Sequence, residues 1–203
     1  MKSFEFGSQK VALFSDGEPH DFTDNEIAVG DVECYTETLY IKAFDGVNTY
    51  VALLTGIEDA YYLHQATPID KSQSVKLCQQ GLILSLGRTL VCLSWPELKL
   101  NWKLKPDMSC IFEFYDLEDD ILLRGELEIF RISLRGEVVW SYGGMDIWVN
   151  IEGKPEVTIL ENSIKLIDFE ANEYLIDFDG KTLQFTERLP LKPLAKPWWK
   201  FWK

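Results

Sequence analysis

Short runs of β-branched and aromatic residues recur along almost the whole chain, each closed by a polar turn, and that rhythm leaves room for little but strands. "KVALFS", "TLYIKAF", "NTYVALL", "AYYLHQ", "LILSL", "TLVCLSW", "LKLNWKL" and "CIFEFYD" are of this kind in the first part of the chain. "ILLRG", "LEIFRISL", "VVWSYG", "DIWVNI", "EVTIL", "SIKLIDF", "EYLIDF" and "TLQFTE" continue it. Helical periodicity is confined to "IEDAYYLHQ" and "DKSQSVKLCQQG", each long enough for one short helix. The turns Asp45-Gly46, Arg135-Gly136 and Asp179-Gly180 fall between paired apolar runs, where a glycine that accepts positive φ closes a hairpin. The expected fold is all-β, an antiparallel meander from about residue 82 onward.

A faint repeat overlies the meander. "LVCLSWPELKLNWKL", "LEIFRISLRGEVVWSY" and "NEYLIDFDGKTLQF" each give a strand, a polar turn and a second strand carrying an aromatic, with Trp102, Trp140 and Phe185 as the matching residues. Periods near 40 to 50 residues are those of propeller blades. The segment "RISLRGEVVWSYGG" resembles the outer hairpin of quinoprotein-type β-propeller repeats, in which a glycine-containing turn joins two strands and the second ends in tryptophan. The likeness spans residues 82 to 186 and implies blades, without implying the quinone cofactor of those enzymes. Residues 1 to 80 lack the pattern, and three units are fewer than a closed ring of the usual 4 to 8 blades requires. The meander is therefore propeller-like, or else a curled sheet or sandwich.

A chain of 203 residues, 46% apolar, suffices for one all-β domain over residues 1–189, with an interruption at 65–74 ("QATPIDKSQS"). Residues 190–203 form a Pro-rich, basic-aromatic tail. The formal charge is −13, and four tail lysines raise it, so residues 1 to 191 carry −13 − 4 = −17. Such a body repels phosphate backbones and suits a basic protein partner. No leader-like run opens the sequence and no stretch is long and apolar enough for a membrane span, so the expectation is a cytoplasmic protein of ordinary acidic bacterial type. Cys34, Cys78, Cys92 and Cys110 fit neither a zinc knuckle nor a disulfide scaffold; Cys92 and Cys110 lie in apolar runs as small core residues.

No motif names a reaction. Asp116, Glu118, Asp119 and Asp120 crowd one turn but lack the glycine and distal glutamate of a calcium loop, so a solvated hairpin tip is expected and no metal site is assigned. Asp168 and Asp177 flank "FEANEYLI" with Glu170 and Asp179 nearby, a pairing of carboxylates open to acid and base roles only if they meet in space. His20 and His64 have no second ligand close by in sequence. No cofactor is expected.

Two segments are candidates for binding. In "WSYGGMDIW", Trp140, Tyr142, Asp146 and Trp148 surround Gly143-Gly144, the composition of a small ligand ledge or, alternatively, of a hairpin with packed aromatics. In "KPWWKFWK", Trp198, Trp199, Phe201 and Trp202 alternate with lysines, which suits packing on the chain's own sheet, docking to a partner or a second copy, or contact with a membrane surface. Together these features suggest a non-enzymatic interaction protein that neutralises a basic partner as an immunity protein does. The alternative is a small-ligand binder or enzyme built on residues 140–148.

Overall fold

In a computed structural model of the chain, residues 1–15, 24–30, 37–58, 63–106 and 108–188 are described. They contain seventeen strands and no helix. The chain divides into two compact units, Met1–Trp148 and Val149–Lys203.

The first unit holds three sheets. One is built from β1 (Lys2–Phe6), β2 (Gln9–Ser15), β3 (Glu26–Ala28), β4 (Glu37–Phe44) and β5 (Thr49–Ile57), in the order β1-β2-β4-β5-β3. Strand β3 is parallel to β5 and the other pairings are antiparallel. The next comprises β6 (Val75–Cys78), β7 (Gly81–Leu86), β8 (Thr89–Leu93) and β9 (Leu100–Leu104), and the third β10 (Ile111–Leu117), β11 (Asp120–Gly125), β12 (Glu128–Ser133) and β13 (Val138–Gly143). The second unit contains β14 (Val157–Ile159), β15 (Ile164–Ile167), β16 (Glu173–Ile176) and β17 (Thr182–Thr186). The last three sheets are consecutive antiparallel meanders of four strands, the organisation of a propeller blade. The all-β, propeller-like meander read from the sequence is present.

The middle sheet explains itself through its side chains. Strand β7 reads "GLILSL" and β8 "TLVCL", and every residue in both is buried. Alternation sends Leu82, Leu84, Leu86, Val91 and Leu93 into a core shared with Val11, Ile41 and Leu54 of the first sheet. It sends Ile83, Leu90 and Cys92 into a second core with Phe114, Ile121, Phe130 and Ile132 of the third. A run without a polar face is what a strand covered on both sides requires.

The outer hairpins repeat a local device. Asp45, Ser94, Ser133 and Asp177 begin the turns into β5, β9, β13 and β17. The side-chain oxygen of each accepts the N–H at the far end of its turn, from Asn48, Lys99, Glu137 and Lys181 at 2.7, 3.0, 3.2 and 2.8 Å. Short polar side chains are suited to such turns because they reach their own backbone. A bulge follows in three of them: Asn101, Val139 and Leu183 are the extra residues opposite β8, β12 and β16. Bulges twist an outer edge away from further pairing. Register makes Gln184 the equivalent of Trp102 and Trp140, while Phe185, the match chosen from sequence, lies one residue further on and pairs with Tyr174.

Trp102 shows what the aromatic position does. Its indole N–H donates to the Leu134 carbonyl at 3.1 Å, so a side chain of β9 grips the turn between β12 and β13. Gly136 in that turn has φ +81°, and a Cβ there would come within 2.6 Å of the indole.

Three sequence expectations are corrected. "DKSQSVKLCQQG" contains β6 and a turn instead of a helix, because Val75 and Leu77 pair with Leu84 and Leu82 of β7. "DIWVNI" is not a strand. Cys110 precedes β10 and is exposed, whereas Cys92 is fully buried. "IEDAYYLHQ" lies partly outside the described residues, and the interruption at 65–74 falls inside the first unit.

Gly136→Ala is expected to lower stability by about 1–3 kcal/mol through backbone strain and the clash with Trp102. Arg135→Ala, in the same turn and exposed, should change it by less than about 0.5 kcal/mol. Urea midpoints of the two variants decide whether the Trp102 grip matters.

Candidate functional site

On β13, alternate residues Trp140 and Tyr142 pair with Arg131 and Ile129 and share one face of the third sheet. Beyond Gly143 the chain folds back, and Trp148 becomes fully buried. Its backbone N–H donates to the Glu126 carbonyl at 2.8 Å, and its backbone carbonyl accepts Nη1 of Arg124 at 2.6 Å. The Tyr142 and Trp148 rings lie 6.2 Å apart at 37°. A Cβ on Gly144 would sit 2.9 Å from the indole, so the loop crosses Trp148 at a distance only glycine permits. Asp146 is half-buried, and its Oδ1 accepts the Ile147 N–H at 2.8 Å within the same loop. Of the four residues, Tyr142 and Trp148 meet; Trp140 lies farther along the face, and Asp146 serves the loop backbone.

Beside them is a network that sequence reasoning missed. Arg124 donates through Nε and Nη2 to the Glu113 carboxylate at 2.5 and 2.7 Å, a bidentate pair of which each side chain is only 11% exposed. Tyr115 donates to Glu113 Oε1 at 2.9 Å, and the guanidinium lies 4.3 Å over the Phe112 ring. Burial, and then the Glu113 charge, push the Tyr115 phenol far above its ordinary range. The available signal was Glu113 between Phe112 and Phe114 in "CIFEFYD" and Arg124 near the end of "ILLRG", which register sets opposite each other. The Glu113 and Arg124 charges meet each other, Tyr115 and the Trp148 carbonyl, so the cluster anchors the Trp148 loop.

The other candidates are held in structural roles. His64 bridges two serines, Nδ1 lying 3.3 Å from Ser74 Oγ and Nε2 3.2 Å from Ser72 Oγ. Hydrogen bonds from Ser72, backbone N–H included at 2.9 Å, hold the Asp70 carboxyl below its usual range. His20 and Cys34 lie outside the described residues. Asp168 is fully buried and accepts from the Asn172 backbone and side chain, both at 2.9 Å, and from the Tyr174 hydroxyl at 2.7 Å. Asp177 closes the turn at the other end of β16, so the two carboxylates do not meet; Glu170 and Asp179 are solvent-side turn residues. The acidic tip is a hairpin turn, as expected. Arg131 pairs with Asp120 at 2.6 Å and Glu118 at 3.0 Å, and Asp116 takes Gln73 at 2.7 Å together with Lys76. Among the described residues no group of three or more His, Cys, Asp or Glu is placed to hold a metal ion. A shallow cavity of about 150 Å³ lies on the fourth sheet, lined by Lys165, Glu173, Tyr174, Leu175, Gln184 and Thr186. Trp198, Trp199, Phe201 and Trp202 lie outside the described residues.

Comparison with known proteins assigns no family. No family model matches the chain, and no curated protein does. Among solved structures, BamB from Moraxella catarrhalis is 13% identical with a TM-score of 0.47, covering 87% of this chain and 52% of that one. The WD40 β-propeller domain of Doa1 is 10% identical (TM-score 0.44, 89% and 59%), and the Neurospora crassa Pan2 WD40 domain 11% identical (0.42, 78% and 48%). The chain spans about half the length of these structures. The weak resemblance of residues 82–186 to propeller blades agrees with the sheets present.

Burial pushes the Cys92 thiol up to about 11 from 9.0. At pH 8 its thiolate fraction, and hence its labelling by a thiol reagent, should be about a hundredfold below that of an ordinary cysteine. Exposed Cys110 should label first. The buried thiol favours the folded state fully below about pH 9, and that contribution fades as pH rises through about 11. Mass-spectrometric labelling that modifies Cys92 before Cys110 in the folded protein would contradict this placement.

Proposed function

We propose that the protein is a non-enzymatic interaction protein whose acidic body captures and neutralises a basic protein partner, in the manner of an immunity protein. The supporting observation is how its cations are used. At least ten described lysines and arginines are already held by carboxylates of the same chain. Asp119, Glu137, Glu161 and Glu170 are exposed, and none of them pairs with a cation among the described residues. The excess negative charge therefore stays at the surface, where it accelerates encounter with a positive partner and repels nucleic acid. Polar clusters that elsewhere carry catalysis are here closed on themselves, which favours binding over chemistry.

The thiols Cys78 and Cys92 are compatible with the cytoplasm as its location. Among the described residues no helix is long and apolar enough to cross a membrane. A ligand-binding or enzymatic role for Trp140, Tyr142, Asp146 and Trp148 has less support, since Trp148 fills the space beneath Gly144.

Affinity for a basic partner isolated with the full chain is expected to fall at least tenfold as salt rises from about 0.05 to about 0.5 M. The double substitution Glu161→Lys and Glu170→Lys should weaken it further at low salt while leaving the urea midpoint nearly unchanged. Binding indifferent to both salt and these reversals would refute electrostatic capture.

A further inference from the structure

The connection from β5 to β6 takes seventeen residues, 58–74, where six, residues 105–110, suffice from β9 to β10. Connections beyond about 12 to 15 residues are uncommon and usually functional. Residues 63–74 form a stalk with an exposed tip. In the stalk the His64 carbonyl accepts the Ser74 and Val75 N–H groups at 2.9 and 3.0 Å, and Ser74 Oγ accepts the His64 backbone N–H at 2.7 Å. Gln73 exchanges both backbone hydrogen bonds with Phe114 of β10, at 2.9 and 2.7 Å, and Ser72, Gln73 and Ser74 are buried. Residues 66–71 are all exposed, yet their backbone is held in place. The Thr67 N–H donates to the Asp70 carbonyl at 2.6 Å, the Asp70 N–H to Thr67 Oγ1 at 2.9 Å, and the Ser72 N–H to Asp70 Oδ1 at 2.9 Å. Pro68 fixes its own φ within this reversal. Beside it Ile69 is 98% exposed, the highest value of any large apolar side chain among the described residues.

We propose that Ile69 enters an apolar pocket on the basic partner and anchors the complex, a role that rests on electrostatic capture being the protein's function. Exposed charges speed the encounter and are screened by salt, so they steer a partner more than they hold it. Holding falls to a few apolar side chains that lose their water in the complex. A β-branched side chain on a backbone already fixed gives up little freedom when it docks. The other highly exposed apolar residues suit that role less. Val47, 83% exposed, belongs to the Asp45 hairpin, whose turn device recurs before β9, β13 and β17 and is accounted for by strand pairing. Met108, 87% exposed, has a straight side chain that surrenders more rotamer freedom on binding. The stalk of residues 63–74 has no counterpart in the six-residue connection from β9 to β10.

Binding kinetics of the full chain test it, with one probe: the purified basic protein that the chain retains at low salt and releases at high salt. Ile69→Ser is expected to weaken binding at least about tenfold, chiefly through faster dissociation, while the salt dependence stays as it was. Its urea midpoint should match that of the unsubstituted chain, because an exposed side chain adds little to the fold. Val47→Ser, the control, should change affinity by less than about twofold. Unaltered affinity in Ile69→Ser, with salt dependence intact, overturns the anchor and leaves the capture standing. An equal loss in Val47→Ser also overturns it, since the effect would then not belong to the loop. Binding indifferent to salt, or no basic protein retained at all, refutes the capture and the anchor together.

Discussion

A sheet with no wet side must be covered twice, and the sheet of β6 to β9 has none at its centre. Strands β7 and β8 are buried throughout, so Leu84 and Val91 require the first sheet on one side as Ile83 and Cys92 require the third on the other. Burial of this kind supplies the dominant favourable free energy of folding, at about 25 cal/mol per Å² of apolar surface. The face-to-face order of the three sheets follows from that demand. The turns then only have to keep consecutive strands adjacent, which the side chains of Asp45, Ser94 and Ser133 accomplish locally.

Directional contacts fix what apolar burial leaves loose. Packing between sheet faces tolerates sliding, whereas the indole of Trp102 on the Leu134 carbonyl sets one hairpin against the preceding sheet at a single position. The Glu113–Arg124 pair does the same for the loop ending in Trp148. A buried ion pair adds little net stability, because desolvation offsets most of the attraction, but losing one partner leaves an uncompensated charge. Its contribution is therefore to position: it selects the one arrangement in which the Trp148 carbonyl meets Arg124. The same logic holds in the fourth sheet, where Asp168 gathers Asn172 and Tyr174 around a turn that contains the positive-φ residue Ala171.

The candidate site was less legible than the fold, and particular residues show why. "VVWSYG" was readable as a strand because its alternation is local, yet the same alternation in "DIWVNI" misled, since Trp148 is apolar as a plug beneath Gly144 and not as part of a sheet face. Glu113 and Arg124 stood out only as single charges in apolar runs; nothing in either run indicates that the other lies opposite. Asp168 and Asp177 looked adjacent because both flank one hairpin, and the four residues of β16 hold them apart. Phe185 looked equivalent to Trp102 and Trp140 because it is the aromatic of its strand, yet all three hairpins carry the same bulge and the residue after it is Gln184. Each miss concerns a partner distant in sequence or an exact register position, neither of which periodicity encodes.

By itself the sequence determined most of the strands, the antiparallel meander from about residue 82 onward, the three glycine-bearing turns and the acidic excess, because each depends on neighbours within a few residues or on composition alone. The tertiary structure decided which apolar residues share a core and which charges are neutralised within the chain. Those outcomes depend on register and on contacts between residues far apart in the chain, and a one-residue shift reverses the face on which a side chain emerges.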